Sequence, residues 1–462
     1  MFSHLPPTPN PPQIVISCEY SRHKTTHNSI SIVFSLGYLQ RMKFLSVVSL
    51  LSFIFTVVSA TNIINFELIG GIPDDVTYDV AVLNGKLLNA TINSLVPGDL
   101  LLIPNRTYSL VGGILASGLK NVTFQIEGTL SFTNDRETWP VDASGKVLEC
   151  IQLENISDII FTSSGTGTLN GNGEAWWGAL NYLKYQENRP RLMHIIHSKN
   201  ILVEHILFKN SPFWTFWAEY CDGMLIRYSD VSARITDIPE HTLIDLQAFN
   251  TDGFDVTGKN VHIHDCNIWN QDDCIAVKDD AENMLFERIS CSGLGLVIGS
   301  IGSNQVRNIT FRDSVLPRTF KGIYMKTRWN DSAPVGDIAS ISDILYQNIT
   351  MYRPQQYPIW IGPAQQTGQP CDLLWPQAEK AQCLMSGYQT WKNIILKDIY
   401  IINPDNSPGV LMGNSSNPMQ NVVFDNVIVI KSGDKPFGTD YYCDSINGYA
   451  KGLTHPIPSC FQ

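Results

Sequence analysis

Asp252, Asp255, Asp265, Asp272 and Asp273 fall in one 29-residue stretch, NTDGFDVTGKNVHIHDCNIWNQDDCIAVK, running from Asn250 to Lys278. A lone carboxylate is costly to bury, but several brought together can do chemistry that one cannot. Like charges raise one another's proton affinity, so one carboxyl stays loaded as an acid while another draws a proton from water. The same grouping also attracts divalent cations. Either outcome requires elements that bring residues distant in sequence to one place.

The stretch otherwise alternates apolar and polar residues like short strands with one buried face, and the chain repeats that phrase. It recurs as NILVEHILF from Asn200, GMLIRYSDV from Gly223, NVHIHDCNI from Asn260 and NMLFERISC from Asn283. Later copies are NITFRDSVL from Asn308, DILYQNITM from Asp343, NIILKDIYI from Asn393 and NVVFDNVIV from Asn421. Each is a turn residue followed by alternating apolar positions. Separations of 23, 37, 23, 25, 35, 50 and 28 residues predict coils that each stack on the next and bury a shared core. A β-propeller is the rival, but its blades need about 40 residues and four strands each, and its signature residues are missing. The expected fold is therefore all-β: a single-domain parallel β-helix, or solenoid.

In such a stack, equivalent positions on adjacent coils lie ~4.8 Å apart. Asp252 and Asp272 are 20 residues apart, Asp273 and Leu294 are 21 apart, and Lys326 follows Leu294 after 32. The spacing predicts that these four segments form a ladder on one face and that the carboxylates of Asp252, Asp272 and Asp273 converge. Asp255 and Asp265 are expected to be turn or strand-edge residues, and His262 and His264 ordinary strand residues.

Charged residues make up 16% of the 462-residue chain, apolar residues 44%, and glycine plus proline number 58, a composition that fits an ordered protein with many turns. Residues 42–60, MKFLSVVSLLSFIFTVVSA, have the basic start, apolar run and small-residue ending of a secretory signal peptide, with cleavage expected after Ala60. Residues 1–41, which include HLPPTPNPP with no packing periodicity, read as an extension ahead of a natural start at Met42. Residues 61–462 are then the folded domain, with 28 basic and 42 acidic residues and a formal charge of −14. That balance argues against nucleic acid and anionic membranes as partners. An anionic polymer fits only if cations gather locally in a cleft.

Nine cysteines follow residue 60, and a secreted chain favours disulfides. The short-range pairs Cys274–Cys291, Cys371–Cys383 and Cys443–Cys460 are expected, leaving Cys150, Cys221 and Cys266 with at least one free thiol. No His/Cys spacing implies zinc, and no metal or cofactor is expected. Eight N-x-S/T sequons, at Asn89, Asn105, Asn121, Asn155, Asn308, Asn330, Asn348 and Asn414, fit the secretory route, and several also suit strand entrances.

The ordered set NTD (Asn250 to Asp252), QDDC (Gln271 to Cys274) and the lysine of GIYMKT (Lys326) resembles glycoside hydrolase family 28, the polygalacturonases and related pectin hydrolases. GNGEAWW (Gly171 to Trp177), RPRLMHI (Arg189 to Ile195) and KNSPFW (Lys209 to Trp214) share the resemblance. It implies a right-handed parallel β-helix that cleaves α-1,4-galacturonosyl linkages with inversion. Asp272 would be the general acid, and Asp252 and Asp273 would position and deprotonate the attacking water. Lys326 and Asn250 would bind substrate, and Trp214 and Trp217 would either stack on sugar rings or pack in the core. Inversion calls for carboxyls ~6.5 to 9.5 Å apart so that water fits between them.

Two positions depart from the family pattern. Gly293-Leu294-Gly295 replaces Gly-His-Gly, and Tyr324-Met325-Lys326 replaces Arg-Ile-Lys, removing one of two cations expected to hold a galacturonate carboxylate. Arg328 is a candidate replacement. The chain thus reads as a secreted, extracellular, monomeric hydrolase of pectin, endo or exo. Three alternatives stand beside it: a hydrolase of rhamnogalacturonan or another acidic polymer, a lyase using Asp-bound calcium, and a catalytically silent polysaccharide binder. A loop tied by Cys371 and Cys383 is expected beside the cleft, where it would favour attack at chain ends.

Overall fold

All eight repeat phrases begin on a backbone corner of positive φ: Asn200, Gly223, Asn260, Asn283, Asn308, Asp343, Asn393 and Asn421, with φ from 52° to 80°. Five residues on, each copy has a second left-handed residue: His205, Tyr228, Asp265, Arg288, Asp313, Asn348, Asp398 and Asn426. Asn and Asp tolerate this region better than other side-chain-bearing residues, and one such residue bends the chain from one strand to the next without a loop. The corner side chains also stack. Asn308 donates to Asn283 at 2.7 Å, Asn421 to Asn393 at 2.9 Å, and Asn348 to Asp313 at 2.7 Å. The sequon asparagines Asn121, Asn155, Asn308 and Asn348 all have positive φ.

The structure is a computed structural model that describes residues 62–165, 167–178, 188–236, 245–330, 334–336, 339–366, 369–378 and 380–461. The signal-like segment 42–60 and residues 1–41 lie outside the described residues. Among the described residues, the ladders between named strands are all parallel, from Asn62–Asn65 at one end to Ile446–Lys451 at the other. Their register reproduces the repeat spacing: Leu202 pairs with Leu225, Leu225 with His262, His262 with Leu285, Leu285 with Thr310, Thr310 with Leu345, Leu345 with Ile395, and Ile395 with Val423. The fold is a parallel β-helix, as expected, and a propeller is excluded.

Inward-facing residues stack along the axis, as in the run Phe286, Phe311 and Tyr346, whose ring centroids are 4.6 and 4.8 Å apart. The fold is not strands alone. The helix Tyr78–Ser94 lays Ala81, Leu88 and Ile92 against the first coils. An end coil has no neighbour to cover its core, and an amphipathic helix closes it; the β-repeat pattern carries no sign of this cap. Cys274–Cys291, Cys371–Cys383 and Cys443–Cys460 are bonded, while Cys150, Cys221 and Cys266 are free and buried. No helix among the described residues is long and apolar enough to cross a membrane.

Candidate active site

One face of the solenoid carries the acidic segments. Phe254–Val256 pairs residue for residue with Ile275–Val277, those with Leu296–Ile298, and those with Ile323–Met325. Just upstream the register continues through the backbone: Gly253 N–H donates to the Asp273 carbonyl at 2.8 Å, Leu294 to Asp272 at 2.7 Å, and Lys321 to Leu294 at 2.9 Å. Asp252, Asp272 and Asp273 converge as expected, with one oxygen of each within 4.8 Å of the others. Asp252 and Asp273 are buried and Asp272 is half-buried, so Asp272 is the member of the trio that reaches solvent.

Side chains with no exposed role fix this geometry. The fully buried Asn270 donates to the carbonyls of Thr251 and Asp273, at 2.8 and 2.9 Å, and ties the two acidic segments together. Gly293 lies against it; a Cβ there would sit 2.0 Å from Asn270 Oδ1 and 2.3 Å from the Asp272 carbonyl oxygen. Arg189, buried between Phe213 and Phe249, donates to the carbonyls of Pro212 and Phe249 and to Asn250 Oδ1, the last at 3.0 Å. Asn250 in turn presents its backbone N–H to Asp272 Oδ2 at 3.0 Å, while the N–H of Asp273 meets Asp272 Oδ1 at 2.8 Å. Arg189 falls within the RPRLMHI motif, but nothing in that motif's residue types assigns it this role.

Two lysines offset part of the cluster's charge. Lys326 Nζ lies 2.9 and 3.2 Å from the two oxygens of Asp273. Lys278 Nζ is 2.8 Å from Asp255 and 3.7 Å from Asp252. Asp255 is therefore not a turn or strand-edge residue: it lies inside a strand, fully buried, and anchors Lys278 beside the trio. Lys278 was missed although it closes the acidic stretch, because its partner sits one coil away. Asp265, by contrast, is a left-handed corner residue bonded to Arg288, and His262 and His264 pair with Glu287 and Asp265 away from the trio.

Burial dominates the electrostatics. It drives Asp252 well above the usual carboxylate range, reinforced by the charges of Asp272 and Asp255 and opposed by Lys278. One Asp252 oxygen, Oδ1, has no hydrogen-bond donor among the described residues. Asp272 is also raised, by burial and then by Asp273, against Lys326 and its two backbone donors. Both carboxyls therefore hold a proton more tightly than a solvated aspartate does.

Asp255 is pushed up by burial to about 6 from 3.8, despite Lys278. A carboxyl raised on folding contributes stability below its unfolded value and loses it as pH climbs through the folded one. Between about pH 4 and 6 the wild type is therefore expected to lose roughly 2 to 3 kcal/mol relative to Asp255→Asn. Thermal unfolding across that window checks this, and parallel curves for the two proteins would refute it.

The face beside the acids is aromatic. Trp214 and Trp217 are half-buried, meet edge to face at 5.3 Å, and hold the Arg191 guanidinium 4.6 and 4.5 Å from their rings. Trp217 is in register with Asp255, so both tryptophans line the acidic face and not the core. Arg328 is exposed and forms no ion pair with the trio among the described residues; its backbone binds Ile301 and its carbonyl accepts from Tyr388. The Cys371–Cys383 loop brings Trp375 onto Trp360, which is in register with Tyr324, so this face is covered one strand beyond Tyr324.

The three carboxylates could also gather a cation, but Ca2+ takes about six to eight oxygens. Here ammonium groups already compete for Asp252 and Asp273, so this donor set suits protons and water better. The nearest oxygens of the three, within 4.8 Å of one another, also stand closer than the ~6.5 to 9.5 Å expected for inversion. Two backbone amides and two lysines hold them together against their repulsion.

Residues 98–447 match the family described as glycosyl hydrolases family 28. A probable endopolygalacturonase E of Aspergillus niger is 32% identical over 200 residues, 42% of this chain and 49% of that protein. A probable endo-xylogalacturonan hydrolase A of Aspergillus oryzae is 29% identical over 254 residues, 52% of this chain and 58% of that one. The chain spans about half the length of the curated relatives it matches. A polygalacturonase structure from Erwinia carotovora ssp. carotovora superposes with a TM-score of 0.61 at 20% identity, over 85% of this chain and 97% of that chain, a likeness of fold. With the family match running through most of the solenoid and across both acidic segments, this chain belongs to glycosyl hydrolases family 28.

Proposed function

We propose that the protein is a secreted, monomeric hydrolase of α-1,4-galacturonosyl linkages in pectin or a pectin-like polymer, acting with inversion. The observation that carries this reading is the half-buried Asp272 at the cleft, backed by buried Asp252 and Asp273 and flanked by two lysines on an otherwise acidic protein. Asp272 protonates the glycosidic oxygen. Asp273, ion-paired through both oxygens to Lys326, and Asp252 orient a water and take its proton. That double ion pair makes Asp273 a poor direct nucleophile, which supports single displacement despite the short carboxyl spacing. Relatives named as an endopolygalacturonase and an endo-xylogalacturonan hydrolase fit a galacturonate-bearing substrate.

Tyr324 and Leu294, where the family carries arginine and histidine, favour a second reading in which the backbone cut is rhamnogalacturonan or another acidic polymer. Incubation of the purified protein with polygalacturonate, rhamnogalacturonan and xylogalacturonan, with products sized, separates the two. Reducing ends from the first or third substrate are expected. The covered face beyond Tyr324 favours attack at chain ends, so monomers should dominate early products over mixed oligomers. Cleavage of rhamnogalacturonan alone would establish the second reading, and no cleavage of any polymer would refute both.

A further inference from the structure

Lys321 occupies the register position that the spacing argument gave to Lys326. Its N–H binds the carbonyl of Leu294, in the row that begins with Asp273, whereas Lys326 lies five residues further along and reaches back with its side chain. Lys321 is 5% exposed. Its ammonium donates to Gln356 Oε1 at 2.7 Å and lies 4.7 Å from the Tyr324 ring and 5.5 Å from the Trp360 ring.

The other two lysines of the site are committed to carboxylates, Lys326 to Asp273 and Lys278 to Asp255 and Asp252. Lys321 has no carboxylate ion pair among the described residues. Asp273 and Asp272 pull its proton affinity up, but burial, and then Lys326, bring the ammonium down to about 7. A buried ammonium held by one neutral acceptor and two aromatic faces is an expensive arrangement that an incoming anion relieves. Gln356 is half-buried, so this pair is where the buried charge meets the surface. Tyr324 lies between the two ammonium groups, with Lys326 4.5 Å from its ring.

We propose that Lys321 is a specificity-determining residue that binds a carboxylate of an anionic sugar unit, supplying the cation that Tyr324 does not. The assignment rests on the reading of the chain as a hydrolase of an acidic polysaccharide. It is tested by binding, so that the two can fail separately. In an Asp272→Asn background, calorimetry compares a galacturonate oligomer with its methyl-esterified form. Adding Lys321→Met should weaken the acidic oligomer about 10- to 100-fold, the range of a charge-assisted hydrogen bond, and lower the acid-to-ester affinity ratio accordingly.

Gln356→Glu gives a second arm should Lys321→Met fold poorly. It places a resident carboxylate on the ammonium and should cost the acidic oligomer at least about tenfold in affinity without lowering the thermal midpoint. Equal losses for acid and ester, or affinity for the acid unchanged by Gln356→Glu, would overturn the assignment. Absence of hydrolysis by the wild type would refute the enzymatic reading and leave these binding results to decide the role of Lys321.

Discussion

Asp272→Asn should lower turnover by about 10²- to 10⁴-fold, the share of rate enhancement that a positioned acid supplies, while binding of the polymer changes little. The side chain meets solvent where the other two carboxyls do not, and its two oxygens are held by the N–H groups of Asn250 and Asp273. Asparagine keeps the shape and one acceptor but cannot deliver a proton. It forfeits one backbone hydrogen bond and relieves the repulsion from Asp273, so the fold should be nearly as stable as the wild type. Reducing-end assays and thermal unfolding on the same preparation measure both. Turnover within threefold of wild type would remove Asp272 from the acid's role.

Lys326→Met should be damaging in a different way, through stability as well as rate. Asp273 is 1% exposed, and both its oxygens face the Lys326 ammonium. Removing one partner of a buried pair leaves the other charge without compensation and costs about 3 to 5 kcal/mol. Adding Asp273→Asn to the same protein removes the stranded charge and should recover most of that loss without restoring activity. A double-mutant cycle by denaturant unfolding reads the coupling. Additive effects would mean that the pair is not the buried unit described above.

The solenoid was legible because its corners are written in the sequence. A single left-handed residue makes each bend, Asn, Asp or Gly supplies it at every repeat start, and the interval between copies equals the strand register. Asp252, Asp272 and Asp273 were legible for the same reason, since intervals near one coil length place them side by side. Asp255 was misjudged because its value depends on Lys278, and their contact exists only once register sets Asp255 opposite Ala276, two residues short of that lysine. Lys321 was hidden by the loop ahead of Ile323. The register step there is 27 residues, from Leu296 to Ile323, and an interval of 32 drawn to Lys326 overshoots it. The capping helix left no trace in the β pattern because it answers an end effect that the repeat cannot encode.

The central claim is that a water activated between clustered aspartates cleaves the glycosidic bond, and products formed from polygalacturonate in ¹⁸O-water test it most directly. The account predicts ¹⁸O at C1 of each new reducing end, released as the β anomer from an α linkage when followed by NMR before mutarotation. Initial release of the α anomer would contradict single displacement, and an unsaturated, ultraviolet-absorbing product free of the label would contradict hydrolysis altogether.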